Sequence, residues 1–242
     1  MAFLDECIEF AGPVWERYVH HAWIEALFAG KLSEERFEYW LAQNLPHLGE
    51  RTAAVALPKV PPHNPWGTLL IEYMARAHAS RVELQLIEKY GAFATTRWAA
   101  RPQREAYVNF FMRTVYDGTF GEICCAYYPC YAFPDTFGAR YLAEGPAGLS
   151  PRQVAWTAQW MDPFFVSLRD ATADGLNEAG AHATRYEQER MRWIFLRATN
   201  HQIGTFDAAW RLSDPWPGEG EESGVMASPP ESQLLIGRSL PD

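Results

Sequence analysis

Apolar residues recur along the chain at the three- and four-residue spacing that is typical of helices. The stretch from Phe3 to Gly30 follows this spacing, and we expect a kink or break in it near Gly12-Pro13. Ser33 is placed to cap the next helix, which the pattern extends beyond residue 50. No stretch alternates between apolar and polar residues over more than a few positions, so the sequence predicts an all-α domain.

Proline, glycine and serine delimit the later predicted helices. The segment PKVPPHNPWG predicts a loop, after which a helix is expected from Trp66 to Tyr90. Two further helices are predicted in QREAYVNFFMRTVYDG and TFGEICCAYYPCYAFPDTFGARYLAEG. Ser150-Pro151 predicts the start of a long helix that runs towards Gly175, and the last helix is expected from about residue 182 to residue 212.

The composition changes after Leu212. Residues 213–242 are rich in proline, glycine, serine and glutamate, and such a segment has too little apolar surface to fold on its own. We expect a flexible tail there, in which only QLLIG is able to dock. Because 242 residues suit one large domain, residues 1–212 are predicted to form a single helical domain.

Net charge and composition narrow the classes of partner. The formal net charge of −9 argues against nucleic acid, whose phosphates require a basic surface. No segment approaches the roughly 18 apolar residues of a membrane span, and the first ten residues are acidic where a secretory signal is basic. We therefore expect a cytoplasmic protein with no nucleic-acid or membrane partner. Ten tryptophans and 14% aromatic residues favour an aromatic-lined pocket for a small molecule.

The four cysteines fit a reducing compartment and contain no C-x-x-C spacing. We interpret the adjacent pair Cys124–Cys125 as inert, buried thiols. Cys130 is different because it follows Pro129, which should bend its helix near Cys125 and open a gap between packed helices. A reactive thiol and one more core sulfur are both open interpretations of Cys130.

A metal site is not predicted. Glu72 and His78 are six positions apart, which separates them by about 120° around a helix. Glu122 could add a carboxylate, but His201 has no second histidine three or four residues away. We therefore expect neither a metal nor another cofactor.

Three segments resemble a known family. HHAWIEALFAGKLSEERFEYWLAQN is similar to the opening pattern of the TenA family, which has His-Pro-Phe, Gly-x-Leu and Phe-x-x-Tyr-Leu-x-Gln-Asp. GTFGEICCAYYPCYAF resembles the central stretch of that family, which ends in Pro-Cys-x-x-x-Tyr, and FLRATNHQIGTFDAAW fits its final helix less closely. Over about residues 13–212 the chain thus resembles TenA, or thiaminase II, of the haem-oxygenase-like superfamily that includes PqqC.

This resemblance implies an all-α, haem-oxygenase-like bundle of about seven or more helices. It also implies a homo-oligomer, either a dimer or a tetramer, and a pocket for an aminopyrimidine fragment of thiamine. In TenA enzymes a cysteine thiolate attacks the pyrimidine, and no metal or organic cofactor is needed.

Carried over by position, the resemblance assigns the nucleophile to Cys130. The remaining site positions implied by it are Asn44, His47, Tyr107, Trp160, His201 and Gln202. Asn44 stands where the family has a ring-binding aspartate, and Gln202 stands where it has a glutamate that handles protons. The tyrosine that ends the central motif is replaced by Pro134. Because amides do not ionise, proton transfer would pass to His47, His201 or water.

Three hypotheses follow. The first is a TenA-like enzyme with an altered pocket, which acts on a small planar nitrogen heterocycle with Cys130 as nucleophile and a histidine as proton carrier. The second is an oxidase of the same superfamily, PqqC-like or iron-dependent, whose polar residues would be His47, His78, His201 and Glu122. The third is a protein that binds a small molecule without catalysis.

Overall fold

The computed structural model describes residues 2–44, 49–76 and 101–218. Within these ranges the backbone forms helices and turns and no strand, which confirms the predicted all-α class. The α-helices, in chain order, are α1 (Phe3–Ala11), α2 (Pro13–Val19), α3 (Ala22–Phe28), α4 (Glu34–Asn44), α5 (Gly49–Ala56), α6 (Trp66–Arg76), α7 (Pro102–Asp117), α8 (Phe120–Tyr131), α9 (Ala139–Glu144), α10 (Pro151–Ala158), α11 (Pro163–His182) and α12 (Arg185–Arg211). Short 3-10 turns occupy Leu57–Lys59 and Gln159–Met161, and a π-helical turn occupies Pro134–Gly138.

The N-terminal apolar stretch is divided into three helices. The predicted break lies at Gly12, whose φ of 47° belongs to the left-handed region that favours glycine. A second break, which the apolar pattern does not predict, separates α2 from α3. It arises because the ring nitrogen Nδ1 of His21 accepts the backbone N–H of Trp23 at 3.1 Å and so caps a new helix.

Polar caps define several other helix starts as predicted. The Ser33 hydroxyl accepts the N–H of Arg36 at 3.3 Å and begins α4. At the start of α10, the Ser150 hydroxyl accepts the N–H of Gln153 at 3.3 Å, while the Gln153 side chain accepts the Ser150 N–H at 3.0 Å. This reciprocal pair is a capping box, and it satisfies two N–H groups that a helix start leaves open.

The prediction of one long helix from Ser150 towards Gly175 is wrong. Helix α10 ends at Ala158, and α11 begins after Asp162, whose carboxylate accepts the N–H of Phe164 at 2.8 Å. Asp162-Pro163 is thus a second cap followed by proline, and it starts a helix within the apolar run. Helix α11 continues past Gly175 to His182. Glycine allows close packing at this position, since a methyl group there would lie 2.7 Å from the Phe120 ring.

Helix α8 lies at the centre of the described structure, packed against both α11 and α12. One part of the core surrounds α8 and contains Cys124, Cys125 and Phe195. The other is an aromatic cluster in which the rings of Trp40 and Phe206 lie 5.5 Å apart and nearly parallel. Helices α7, α8 and α12 pack against one another, and they carry most of the predicted site residues.

The chain remains attached to the bundle after α12. Asp214 is buried, its carboxylate accepts the N–H of Gln103 at 2.7 Å, and its carbonyl accepts the Nε–H of Arg101 at 2.9 Å. The predicted flexible tail therefore begins with residues that dock on the start of α7. The QLLIG segment lies outside the described residues.

Within the described ranges, every helix is too short or too polar to cross a membrane.

Candidate active site

Cys130 lies in the last turn of α8 and is the accessible one of the four cysteines. Cys7, Cys124 and Cys125 are each 0% exposed, whereas Cys130 is partly exposed. The expected burial of the adjacent pair is confirmed. Because attack on a ligand requires a thiol that is not sealed in the core, Cys130 is the best placed of the four cysteines for this role.

The backbone around Cys130 departs from regular α-helix on both sides. Pro129 lies inside α8 and has no N–H to donate to the carbonyl of Cys125. Its own carbonyl accepts the buried hydroxyl of Tyr18 from α2 at 2.6 Å. After α8 the chain enters the π-helical turn, a conformation that is common at functional sites. Thus the helix does not end at proline, and Tyr18 anchors the turn that carries the thiol.

Gln202 lies next to Cys130 and Tyr107. Its side chain, 2% exposed on α12, is close enough to act on the pKa of both the Cys130 thiol and the Tyr107 hydroxyl. An amide has a donor and an acceptor, so it is able to interact with two such groups at once. Three residues that the resemblance assigned to one site therefore lie close together, each on a different helix.

The electrostatic setting keeps the Cys130 thiol protonated near neutral pH. Burial raises the pKa of Cys130 to about 11, and the positive charge of Arg104 and the hydrogen bond from Gln202 oppose part of that rise. Desolvation thus outweighs the two groups that favour the thiolate. Ionisation of the thiol therefore requires a ligand or a base that accepts its proton.

His201 lies beside this group as a neutral imidazole. Its ring is nearly parallel to that of Tyr107, with centroids 5.4 Å apart, and lies 4.9 Å from the Phe110 ring. Burial, helped by the positive charge of Arg197, lowers the pKa of His201 below its usual value. A neutral imidazole is able to accept a proton, which the predicted proton carrier must do.

Arg104 is a site residue that the sequence interpretation missed. It is 2% exposed, and its guanidinium carbon lies 5.7 Å from the centre of the Tyr107 ring. The signal was present in the sequence, because Arg104 precedes Tyr107 by three positions and Phe111 by seven on the apolar face of α7. A charged residue in that register indicates a buried charge.

Two tyrosine hydroxyls complete the polar surroundings. Those of Tyr39 on α4 and Tyr131 on α8 are buried and have no hydrogen-bond partner within the described ranges. Tyr39 acts electrostatically on Arg104, and Cys130 acts on Tyr131. Buried polar atoms are normally paired, so this group of open donors next to an accessible thiol is typical of a ligand site.

For the remaining predicted residues, Asn44, Trp160 and His47, a place beside Cys130 stays a prediction. Asn44 is half-buried and ends α4, and the neighbouring Gln43 accepts the N–H of Arg101 at the start of α7. Trp160 is half-buried, with its ring 4.9 Å from the rings of both Phe133 and Phe165. Its contacts are those of the aromatic core, and its role in binding stays a prediction. His47 lies outside the described residues.

Glu122 serves the start of α8. Its carboxylate accepts the N–H of Thr119 at 2.8 Å and the Nε–H of Arg190 at 2.7 Å. It precedes Cys130 by eight residues, which is about 12 Å along a helix. Within residues 2–44, 49–76 and 101–218, no three His, Cys, Asp or Glu side chains are grouped as metal ligands. His78 lies outside these ranges.

A surface groove of about 520 Å³ lies between α7 and α12, on the side where Phe110 and Arg197 are found. Its rim also carries Trp193 and Tyr186, two exposed aromatic residues. Phe110 separates this groove from the ring of His201.

Comparison with known proteins agrees with this fold. The model of the TENA/THI-4/PQQC family matches residues 10–212, so the chain belongs to that family. An aminopyrimidine aminohydrolase from Halalkalibacterium halodurans is 22% identical over 224 residues, 87% of this chain and 96% of the relative. The aminopyrimidine aminohydrolase of Bacillus subtilis is 22% identical over 241 residues, 93% of this chain and 98% of the relative.

Solved structures share the fold. The TenA homologue from P. horikoshii OT3 superposes with a TM-score of 0.74 at 17% identity, over 87% of this chain and 99% of that one. A putative TenA-like thiaminase from Sulfolobus solfataricus P2 gives 0.73 at 18% identity, over 88% of this chain and 98% of that one. The predicted TenA membership and helical fold are confirmed.

Proposed function

We propose that this protein is a TenA-type hydrolase that acts on an aminopyrimidine or a similar planar nitrogen heterocycle, with Cys130 as its nucleophile. The observation that carries the proposal is the position of Cys130, the one partly exposed cysteine, next to Gln202 and Tyr107. The names of the two curated relatives support the choice of an aminopyrimidine.

The reaction replaces an amine on the heterocycle by hydroxyl. The Cys130 sulfur forms a bond to the electron-poor heterocycle, the carbon–nitrogen bond breaks, and the amine leaves with the electron pair. The amine takes up the proton that the thiol has lost, and it departs as ammonia when it is a primary amine. Water then replaces the sulfur, which regenerates the thiol and leaves the alcohol, so that the net change is amine plus water to alcohol plus ammonia.

Proton transfer falls to a group other than Gln202, because an amide has no acid or base function near neutral pH. His201 is neutral and lies against Tyr107, so it is suited to pass the thiol proton to the leaving amine, directly or through water. Tyr107, which is fully buried, lies against the rings of both His201 and Phe111 and so fixes the position of the imidazole.

Kinetics of matched cysteine variants test this proposal. Ammonia release from 4-amino-5-aminomethyl-2-methylpyrimidine is measured for the wild type, Cys130→Ala and Cys124→Ala. Loss of the nucleophile should lower kcat by about 10³-fold or more, whereas the same change in the buried Cys124 should leave kcat within about threefold. The proposal fails if the wild type releases no ammonia from aminopyrimidines, or if Cys130→Ala retains the activity.

A binding protein without catalysis is the second candidate. It is favoured by one observation: burial raises the pKa of Cys130 to about 11, and the neighbouring Gln202 is unable to take its proton. In that case the aminopyrimidine would raise the melting temperature of the protein but would never be converted. Calorimetric binding without ammonia release over hours distinguishes the two functions.

A further inference from the structure

Arg104 is held rigidly beside Cys130 by the elements that fix the start of α7. The N–H of Arg101 donates to the Gln43 side chain at 2.8 Å, and the N–H of Gln103 donates to the Asp214 carboxylate at 2.7 Å. Helix α4 and the segment after α12 thus secure both sides of the first turn. The guanidinium then lies near Tyr107, almost completely shielded from solvent.

The guanidinium has open donors. Its Nε and Nη2 atoms are buried and have no hydrogen-bond partner among the residues that the structure describes. The groups of those residues that act on it electrostatically are Tyr107, Cys130 and Tyr39, and none of them is a carboxylate. Gln202, which lies next to Cys130 and Tyr107, is an uncharged amide.

An arginine in this position needs an anion. A guanidinium keeps its charge in proteins, and a buried charge is strongly unfavourable unless an opposite charge and hydrogen bonds accompany it. The thiol of Cys130 is protonated near neutral pH and supplies no negative charge to the free protein. The residues that the structure describes thus supply no anion to this guanidinium, and a ligand is able to supply it.

The geometry of the open donors fits an oxyanion that offers two oxygens. Nε and Nη2 lie on the same edge of the guanidinium, where their two N–H bonds are parallel and match the two oxygens of a carboxylate. We propose that Arg104 binds a carboxylate of the ligand, so that this site prefers a planar nitrogen heterocycle that carries a carboxylate group to the same heterocycle without one. This inference deepens the proposed function and rests on it for the heterocycle.

Ligand binding to the full-length protein tests the inference with a matched pair of probes. Isothermal titration calorimetry compares 4-aminopyrimidine-5-carboxylate with the corresponding 5-carboxamide, which has the same shape and no charge. The wild type should bind the carboxylate at least about tenfold more tightly. Arg104→Met should abolish this preference, and Arg104→Lys should keep part of it, because a lysine keeps the charge but loses the paired donors.

Arg113→Met is the matched control, since it removes an arginine of the same helix whose side chain is 82% exposed. Its preference for the carboxylate should equal that of the wild type. If Arg104→Met does not fold, as judged by circular dichroism, the test rests on two measurements. These are the ratio of carboxylate to carboxamide affinity in the wild type and the same ratio in Arg104→Lys.

Several results overturn the inference. These are equal or weaker binding of the carboxylate by the wild type, no binding of either probe at millimolar concentration, and a preference that Arg104→Met retains. Arg104 could instead stabilise only the thiolate of Cys130. In that case Arg104→Met slows alkylation of Cys130, and the wild type binds the carboxylate and the carboxamide with equal affinity. This result also overturns the inference.

A different set of results is expected if the inference about Arg104 is right but the proposed function is wrong. In that case the carboxylate preference depends on Arg104, while ammonia release is absent or independent of Cys130. Cys130→Ala, which removes the proposed nucleophile but not the guanidinium, should keep the carboxylate preference.

Discussion

Cys130 and Cys124 have the same side chain and lie on the same helix, but their surroundings give them different chemistry. Cys124 is 0% exposed within the core, whereas Cys130 is partly exposed and lies next to Gln202. The Pro-Cys pair was enough to single out the cysteine that is partly exposed. The position of Gln202 beside its thiol depends on how α8 and α12 pack.

Alkylation kinetics report the ionisation of Cys130 directly. Because burial raises its pKa to about 11, the rate with iodoacetamide should increase about tenfold per pH unit from pH 8 and still be rising at pH 10. Gln202→Leu should slow the reaction at each pH, since it removes a hydrogen bond that favours the thiolate. Peptide mapping by mass spectrometry identifies the alkylated residue.

The other cysteines provide the control for this measurement. Cys7, Cys124 and Cys125 are fully buried and should react only when the protein unfolds, so Cys130→Ala should remove the native-state reaction. A rate that reaches its plateau at pH 7 to 8 would show a low thiol pKa and contradict the description of the site.

Arg104 shows where residue-by-residue interpretation of the sequence falls short. Arginine is mostly a surface residue, and only its register with Tyr107 and Phe111 on α7 indicated burial. Among the described residues no carboxylate acts on this buried arginine, and that is a property of its three-dimensional surroundings, which no local pattern contains.

Several helix boundaries are set by capping residues and glycine that are recognisable in the sequence. The caps at Ser33 and Ser150 and the break at Gly12 were predicted from residue type alone. The start of α11 at Asp162-Pro163 was missed because an apolar run surrounds it, although the cap is of the same kind as Ser150-Pro151. The cap by His21 was missed because histidine is an uncommon capping residue.

The cap of α3 should make folding stability depend on pH. Nδ1 of His21 accepts the Trp23 N–H, so the other nitrogen, Nε2, carries the hydrogen and donates to Asp207 at 3.1 Å. Burial lowers the pKa of His21 below 6.5, and Asp207 only partly compensates. The folded state thus favours the neutral imidazole. The contribution of His21 to the free energy of unfolding is complete above about pH 6.5, and it is lost as the pH falls through the lower pKa that His21 has in the folded state.

Urea unfolding between pH 5 and pH 8 measures this effect. His21→Asn keeps a capping acceptor but does not titrate, and it should make the free energy of unfolding depend less on pH. The remaining slope includes His201, whose pKa is also lowered by burial. His20→Asn, a change of the neighbouring histidine with a 65% exposed side chain, is the control. An unchanged slope in His21→Asn would contradict the assigned role.

The assembly of the site depends on elements that are distant in sequence. Helices α7, α8 and α12 supply Tyr107, Cys130 and Gln202, while α4 and the segment after α12 fix the start of α7. The family resemblance predicted the common fold and assigned Tyr107, Cys130 and Gln202 to one site. The docking of Asp214 was not predicted, because its segment is polar and rich in proline and glycine.

Asp214 should contribute both to stability and to the shape of the site. Its buried carboxylate accepts the N–H of Gln103 in the first turn of α7, so Asp214→Ala should lower the free energy of unfolding by about 1–2 kcal/mol. Asp214→Asn keeps an acceptor and should cost less. Urea denaturation measures the change, and an Ala variant as stable as the wild type would show that α7 does not depend on this contact.

Detection of a covalent intermediate tests the catalytic role of Cys130 most directly. The protein is mixed with 4-amino-5-aminomethyl-2-methylpyrimidine, quenched in acid within milliseconds to seconds, digested and analysed by mass spectrometry. The peptide that contains Cys130 should gain the mass of the substrate less ammonia during turnover, and the peptide should be unmodified in Cys130→Ala. Steady ammonia release with no such adduct on Cys130, or an adduct on a different residue, would contradict the proposed reaction.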